Sequence, residues 1–85
     1  MNKQLMDEVL YLMDELSQDV SVPKNVRKHA VDSKTRLQKE SESLDLRCAT
    51  VISQLDDLAS DPNVPAHGRT FLYTIISKLE ALAKS

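Results

Sequence analysis

Glycine, cysteine and tryptophan are almost missing from this chain: its 85 residues include one glycine, one cysteine and no tryptophan. A single glycine, Gly68, cannot build a phosphate-cradling loop, which needs several in close succession. A single cysteine, Cys48, closes no internal disulfide, and a small domain without such a staple suits a reducing interior. Tyr11, Phe71 and Tyr73 are the only aromatics, so any core must be aliphatic. Long apolar runs are also absent, and nothing approaches the roughly 20 residues that cross a bilayer. The N-terminal stretch is interrupted by Asp7-Glu8 and Asp14-Glu15, unlike the unbroken apolar segment of a signal peptide. A soluble, cytoplasmic protein with no membrane partner is expected. His29 and His67 have no cysteine or second histidine at ligand spacing, so no metal site is expected. No nucleophile has an evident base beside it in the sequence. The expectation is a protein without cofactor that is not an enzyme.

What is present is a repeat. Asp14-Glu15-Leu16 returns as Asp56-Asp57-Leu58, an offset of 42 positions, and at that offset Asp19 matches Asp61, Val22 matches Val64, Pro23 matches Pro65 and Arg27 matches Arg69. The repeated text is an apolar helical run that stops, turns at a proline and restarts. A period of this length marks a helical hairpin, so residues 1–85 read as one domain built from pseudo-repeats of about 1–42 and 43–85. With 41% apolar and 28% charged residues the chain has a globular composition.

Hydrophobic periodicity predicts four helices and no strand. Helix 1, about 3–18, buries Leu5, Val9, Leu12, Met13 and Leu16. Helix 2, about 23–40, has only the narrow stripe Val26, Ala30, Leu37. Helix 3, about 45–60, offers Cys48, Val51, Ile52, Leu55, Leu58 and Ala59, and helix 4, about 65–83, offers Leu72, Ile75, Ile76, Leu79, Leu82 and Ala83. Helices 1, 3 and 4 should supply most of the core, with helix 2 along its edge. Pro23 and Pro65 suit a first helical position, where no amide hydrogen is needed. Pro62 ends helix 3 by restricting Asp61, and Ser41-Glu42-Ser43 forms the central turn. Short connections make consecutive helices antiparallel neighbours. The fold class is therefore all-α, an antiparallel up-and-down four-helix bundle built from a duplicated helical hairpin.

Charge alternates along the chain. Residues 1–22 carry Lys3 against Asp7, Glu8, Asp14, Glu15 and Asp19, net −4, while 23–40 carry six cations against Asp32 and Glu40, net +4. Residues 41–64 return to −4 and 65–85 to +2. The cations of helix 2 lie away from its apolar stripe, and Lys24, Lys28, Arg36 and Lys39 form a candidate basic surface for phosphates, hence for nucleic acid or a ribosome. The simpler reading is that they answer the acids of helices 1 and 3. The chain is acidic overall and no aromatic interleaves with the cations to stack a base, which favours that simpler reading.

Tyr11 and Tyr73 fall opposite the apolar stripes of helices 1 and 4 and form a candidate protein interface, since exposed tyrosine is a frequent interface anchor. Asp19 with Arg27, and Asp61 with Arg69, are expected to tie the two corners: each aspartate ends one helix and each arginine opens the next. Cys48, within an apolar face, reads as an inert buried thiol.

Two segments, VSVPKNVRKHA and SDPNVPAHGRTFLYTIISKLE, resemble the signature stretches of a small archaeal family of uncharacterised proteins, UPF0147, over nearly the whole chain. Asp61-Pro62-Asn63 with Pro65, His67, Arg69 and Thr74-Ile75-Ile76-Ser77 carry the likeness most specifically. The resemblance implies an archaeal cytosolic four-helix protein with no established activity, and an alanine where this chain has Gly68. The corners are also similar to those of HEAT-type repeats, which favours protein binding by analogy. The function expected is a non-enzymatic protein-interaction module, binding an unknown protein or itself. The alternative is a nucleic-acid or ribosome-associated accessory protein using helix 2.

Overall fold

A computed structural model describes residues 1–85. It contains four helices, α1 (Lys3–Ser17), α2 (Lys24–Leu37), α3 (Leu44–Ala59) and α4 (Ala66–Ala83), and no strand. α1 and α3 start at side-chain caps. Asn2 Oδ1 accepts from the Leu5 amide at 3.1 Å, and Ser43 Oγ accepts from the Leu46 amide at 3.3 Å. The two prolines stand one residue earlier than predicted: Pro23 and Pro65 are N-caps in extended conformation rather than first helical residues. Their carbonyls accept from the Arg27 and Arg69 amides, so a fixed φ is used to turn the chain into the helix rather than to begin it. α2 ends at Leu37, before the expected residue 40.

The helices pack as a closed square. α1 lies against α2 and α4, and α3 against α2 and α4, while the backbones of the diagonal pairs stay apart. A solenoid of HEAT type would leave α1 and α4 apart. Here they pack together, with Lys78 Nζ 3.2 Å from Glu8 Oε2 between them, the Asn2 amide 3.0 Å from Ser85 Oγ at their ends, and Ser21 Oγ of the first corner 2.7 Å from His67 Nε2. Nineteen apolar residues from all four helices and two corners form one buried cluster. Met6 takes the place expected of Leu5, which is only partly buried. The α2 stripe is as narrow as its sequence suggests, yet Val26, Ala30 and Leu37 are at most 1% exposed, so α2 is a full wall rather than an edge. Ser33 completes that stripe, and its buried Oγ has no hydrogen-bond partner.

One corner is used three times. The connections 18–23, 38–43 and 60–65 each have six residues and the same backbone hydrogen bonds. Asp19, Lys39 and Asp61 donate back to Leu16, Arg36 and Leu58, and Val22, Glu42 and Val64 donate to Asp19, Lys39 and Asp61, all at 3.1–3.3 Å. The 42-residue offset is therefore two successive corner-to-corner steps. The middle corner escapes the sequence repeat because lysine, glutamate and serine fill the places of aspartate, valine and proline.

Val22 and Val64 insert into the core at the outer corners, 3% and 1% exposed. Gly68 lies between them: a Cβ there would stand 3.0 Å from Val22 Cγ1 and 3.1 Å from Val64 Cγ1. A glycine in a helix costs about 1 kcal/mol relative to alanine, and here that cost accompanies a close approach of two buried valines.

Candidate functional site

The corner residues do not pair as expected. Asp19 Oδ1 accepts from the amide and hydroxyl of Ser21, and Asp61 Oδ1 accepts from the Asn63 amide at 2.9 Å. Each carboxylate is taken by its own backbone two residues on, the local bond that makes aspartate a turn residue, so neither reaches Arg27 or Arg69. Those two arginines make no side-chain hydrogen bond, and the buried Nε of Arg27 is without a partner. The arginine that does serve a corner is Arg47, equivalent in register to Arg27 and Arg69. Its Nη1 donates to the Leu37 carbonyl at the end of α2. Arg47 lies outside the 42-residue repeat, and only the backbone register shows its equivalence.

At the first corner the fold assembles a group that sequence spacing does not show. Ser21 Oγ donates to Asp19 Oδ1 and lies 2.7 Å from His67 Nε2, which is itself 3.6 Å from Asp19 Oδ2. Hydrogen bonds from the Ser21 hydroxyl and amide, with a smaller contribution from His67, hold the Asp19 carboxyl below the usual carboxylate range. Serine, histidine and aspartate together suggest a nucleophile, but the proton positions point elsewhere. The single hydroxyl proton goes to the carboxylate, so Oγ accepts a proton held on Nε2. A protonated Nε2 cannot act as base toward that oxygen. Asp19 also faces the same imidazole nitrogen as the serine, where an orienting carboxylate would take the other one. The group joins the first corner to the start of α4. His67 is exposed yet engaged.

The cations of α2 divide into paired and free. Lys34 Nζ lies 2.8 Å from both Asp14 oxygens on α1, and Arg36 Nη2 lies 3.0 Å from Glu42 Oε2 in the next corner. The expected answer from helix 3 is not found: Asp56 and Asp57 are exposed and make no ion pair with α2. Lys24, Lys28 and Lys39 are exposed and unpaired. Lys39 sits in the second corner, beyond the end of α2, while Lys24 begins it, so the four residues Lys24, Lys28, Arg36 and Lys39 are not one cluster.

Tyr11 and Tyr73 are 62% and 51% exposed on adjacent helices. Tyr11 borders a shallow depression with Lys3, Gln4, Asp7 and Glu8, and Tyr73 borders a second with Thr70, Thr74, Ser77 and Lys78. The Glu8–Lys78 ion pair is shared between them, one member in each. The Glu15 carboxylate, one turn beyond Tyr11, raises the Tyr11 phenol above its ordinary value, first through a hydrogen bond and then through charge. Cys48 is buried as expected, and burial pushes its thiol up and away from reactivity. No helix is long and apolar enough to cross a membrane.

This fold recurs in known proteins. A solved structure from Thermoplasma acidophilum, of a protein from the uncharacterised family UPF0147, is 73% identical, covers 95% of each chain and superposes with a TM-score of 0.93. The crystal structure of the unknown-function protein MMP1188 is 36% identical over 94% of this chain and 91% of that one, with a TM-score of 0.86. Among curated relatives, a UPF0147 protein of Thermoplasma volcanium is 74% identical over all of this chain and 96% of its own length. One from Methanocaldococcus jannaschii is 38% identical over 92% of this chain and 84% of its own. The model of the uncharacterised protein family UPF0147 matches residues 1–82. With sequence and fold shared over nearly its whole length, the chain belongs to the UPF0147 family.

Proposed function

We propose that the protein is a non-enzymatic interaction module that binds another protein or a second copy of itself through its tyrosine-bearing outer faces. The observation that carries this reading is the exposure of Tyr11 and Tyr73 on neighbouring helices, on either side of one ion pair. A tyrosine ring presents large, rigid area at little entropic cost, and such residues dominate many interfaces. Both phenols are held on helices of a closed bundle, so docking needs no reordering of the backbone.

A second reading keeps its own observation. Lys24, Lys28 and Lys39 are exposed with no acidic partner inside the fold, and could serve phosphates. Two sets of variants separate the readings. Tyr11→Ala/Tyr73→Ala should lose partners captured from native cell extract, while Lys24→Glu/Lys28→Glu/Lys39→Glu should retain them. The opposite pattern, with nucleic acid lost from the charge-reversed protein, would replace the first reading with the second.

A further inference from the structure

We infer that the outer face of the α1–α2 layer pairs with the same face of a second copy, placing α1 of each chain antiparallel on α2 of the other. The inference rests on Tyr11 as an interface residue and names its occupant. On α1, Asp7, Tyr11 and Asp14 follow one another at spacings of four and three. On α2, Lys28, Val31 and Thr35 follow at three and four. Both stripes lie two residues ahead of a core stripe (Val9, Met13 and Leu16; Ala30, Ser33 and Leu37), about 160° round the helix at 3.6 residues per turn. Both therefore point outward. The Lys34–Asp14 ion pair fixes which side of α1 adjoins α2.

Register follows from the corner. The hairpin turns over 18–23, so residues equally far from it stand level: Asp14 with Lys28, Tyr11 with Val31, and Asp7 with Thr35, within about one residue. A two-fold axis running along the helices, just outside this layer, leaves those levels unchanged while exchanging α1 for α2. Each Tyr11 then meets the partner's Val31, and each Asp14 meets the partner's Lys28. Tyr11 and Val31 are 62% and 54% exposed, an apolar centre with the opposite charges of Asp14 and Lys28 at one end and Asp7 level with Thr35 at the other. Lys28 has no partner inside its own chain. Both Asp14 oxygens engage Lys34 Nζ at 2.8 Å, and each keeps a further lone pair that can accept from a second cation. The same axis sets α1 diagonal to the partner's α1 and α2 diagonal to the partner's α2, so like charges stay apart. The contact is isologous and closes at two copies.

The long side of the molecule measures 33 × 19 Å. Two such sides bring roughly 1,200 Å² together, the low end of specific interfaces. The dimer should therefore be weak, dissociating on dilution.

Sedimentation equilibrium at rising protein concentration in low salt tests this, with expected movement from monomer to dimer mass. Lys28→Glu should raise the dissociation constant at least tenfold. Register is read with single-cysteine variants and a short bismaleimide, against the buried Cys48 as background. Tyr11→Cys mixed with Val31→Cys should cross-link, and neither variant should cross-link alone. A monomer at every concentration, or Tyr11→Cys cross-linking to itself, overturns the inference. If only the dimer fails while Tyr11→Ala/Tyr73→Ala still loses captured partners, the interaction reading survives without it.

Discussion

A methyl group at position 68 would crowd two valines, each fully packed and each stiff about its first side-chain bond. Helix propensity alone predicts that Gly68→Ala gains about 1 kcal/mol, whereas overpacking a filled site costs about 1–3 kcal/mol. The expected outcome is a net loss of about 1 kcal/mol, read as a lowered midpoint in denaturant, and a raised midpoint would show that the valines yield freely. Asp19 supplies a second residue-scale prediction. Its folded value is held below the ordinary 3.8 by the Ser21 donors and by His67. A carboxyl depressed on folding contributes stability that is complete above its unfolded value and is lost as pH falls through its folded value. The advantage of the wild type over Asp19→Asn should be full at neutral pH and shrink below pH 3.8. An advantage independent of pH across that window would mean that the charge has no role in the corner. Neither the Val22–Gly68 contact nor the Ser21–His67 bond was legible in the sequence, because both join residues more than 40 positions apart through the closing of the square.

Helices and their faces were legible, because a period of 3.6 residues records which side is buried. All four helices fall within a few residues of their expected bounds, and the stripes on α3 and α4 carry most of the residues expected of them. The corners were legible only in part. Asp19 and Asp61, each followed by a proline cap, marked the outer two, while Lys39 and Ser43 hid the third behind different side chains on the same backbone. The expected Asp–Arg ties did not form, since a carboxylate two residues from a free amide is satisfied locally before a longer reach is needed. Stability should therefore follow the observed bonds. Arg47→Ala removes a charge-assisted bond to the Leu37 carbonyl and should cost about 1.5–3 kcal/mol. Arg27→Ala and Arg69→Ala remove none and should each cost less than 1 kcal/mol, in the range of a partly exposed substitution. Thermal melts in which all three variants fall equally would restore the symmetric role first expected of Arg27 and Arg69.

At the scale of the whole molecule, one corner repeated three times and the packing of α1 on α4 make a closed bundle whose outer faces differ in charge and in aromatic content. Composition showed that charge alternates, but not that Lys34 and Arg36 would be taken up inside the fold while Lys24, Lys28 and Lys39 stayed free. That division depends on which side of each helix meets its neighbour. The central claim is that association runs through the tyrosine-bearing faces rather than through phosphate contacts to the α2 cations. The most direct measurement is the affinity for a captured partner, followed as salt rises. A tyrosine-centred protein contact should give a shallow slope of log affinity against log salt, below that of a single phosphate contact, which is about 0.9. Nucleic acid as the partner, with a slope of two or more that falls when Lys24 and Lys28 are reversed to glutamate, would contradict the account.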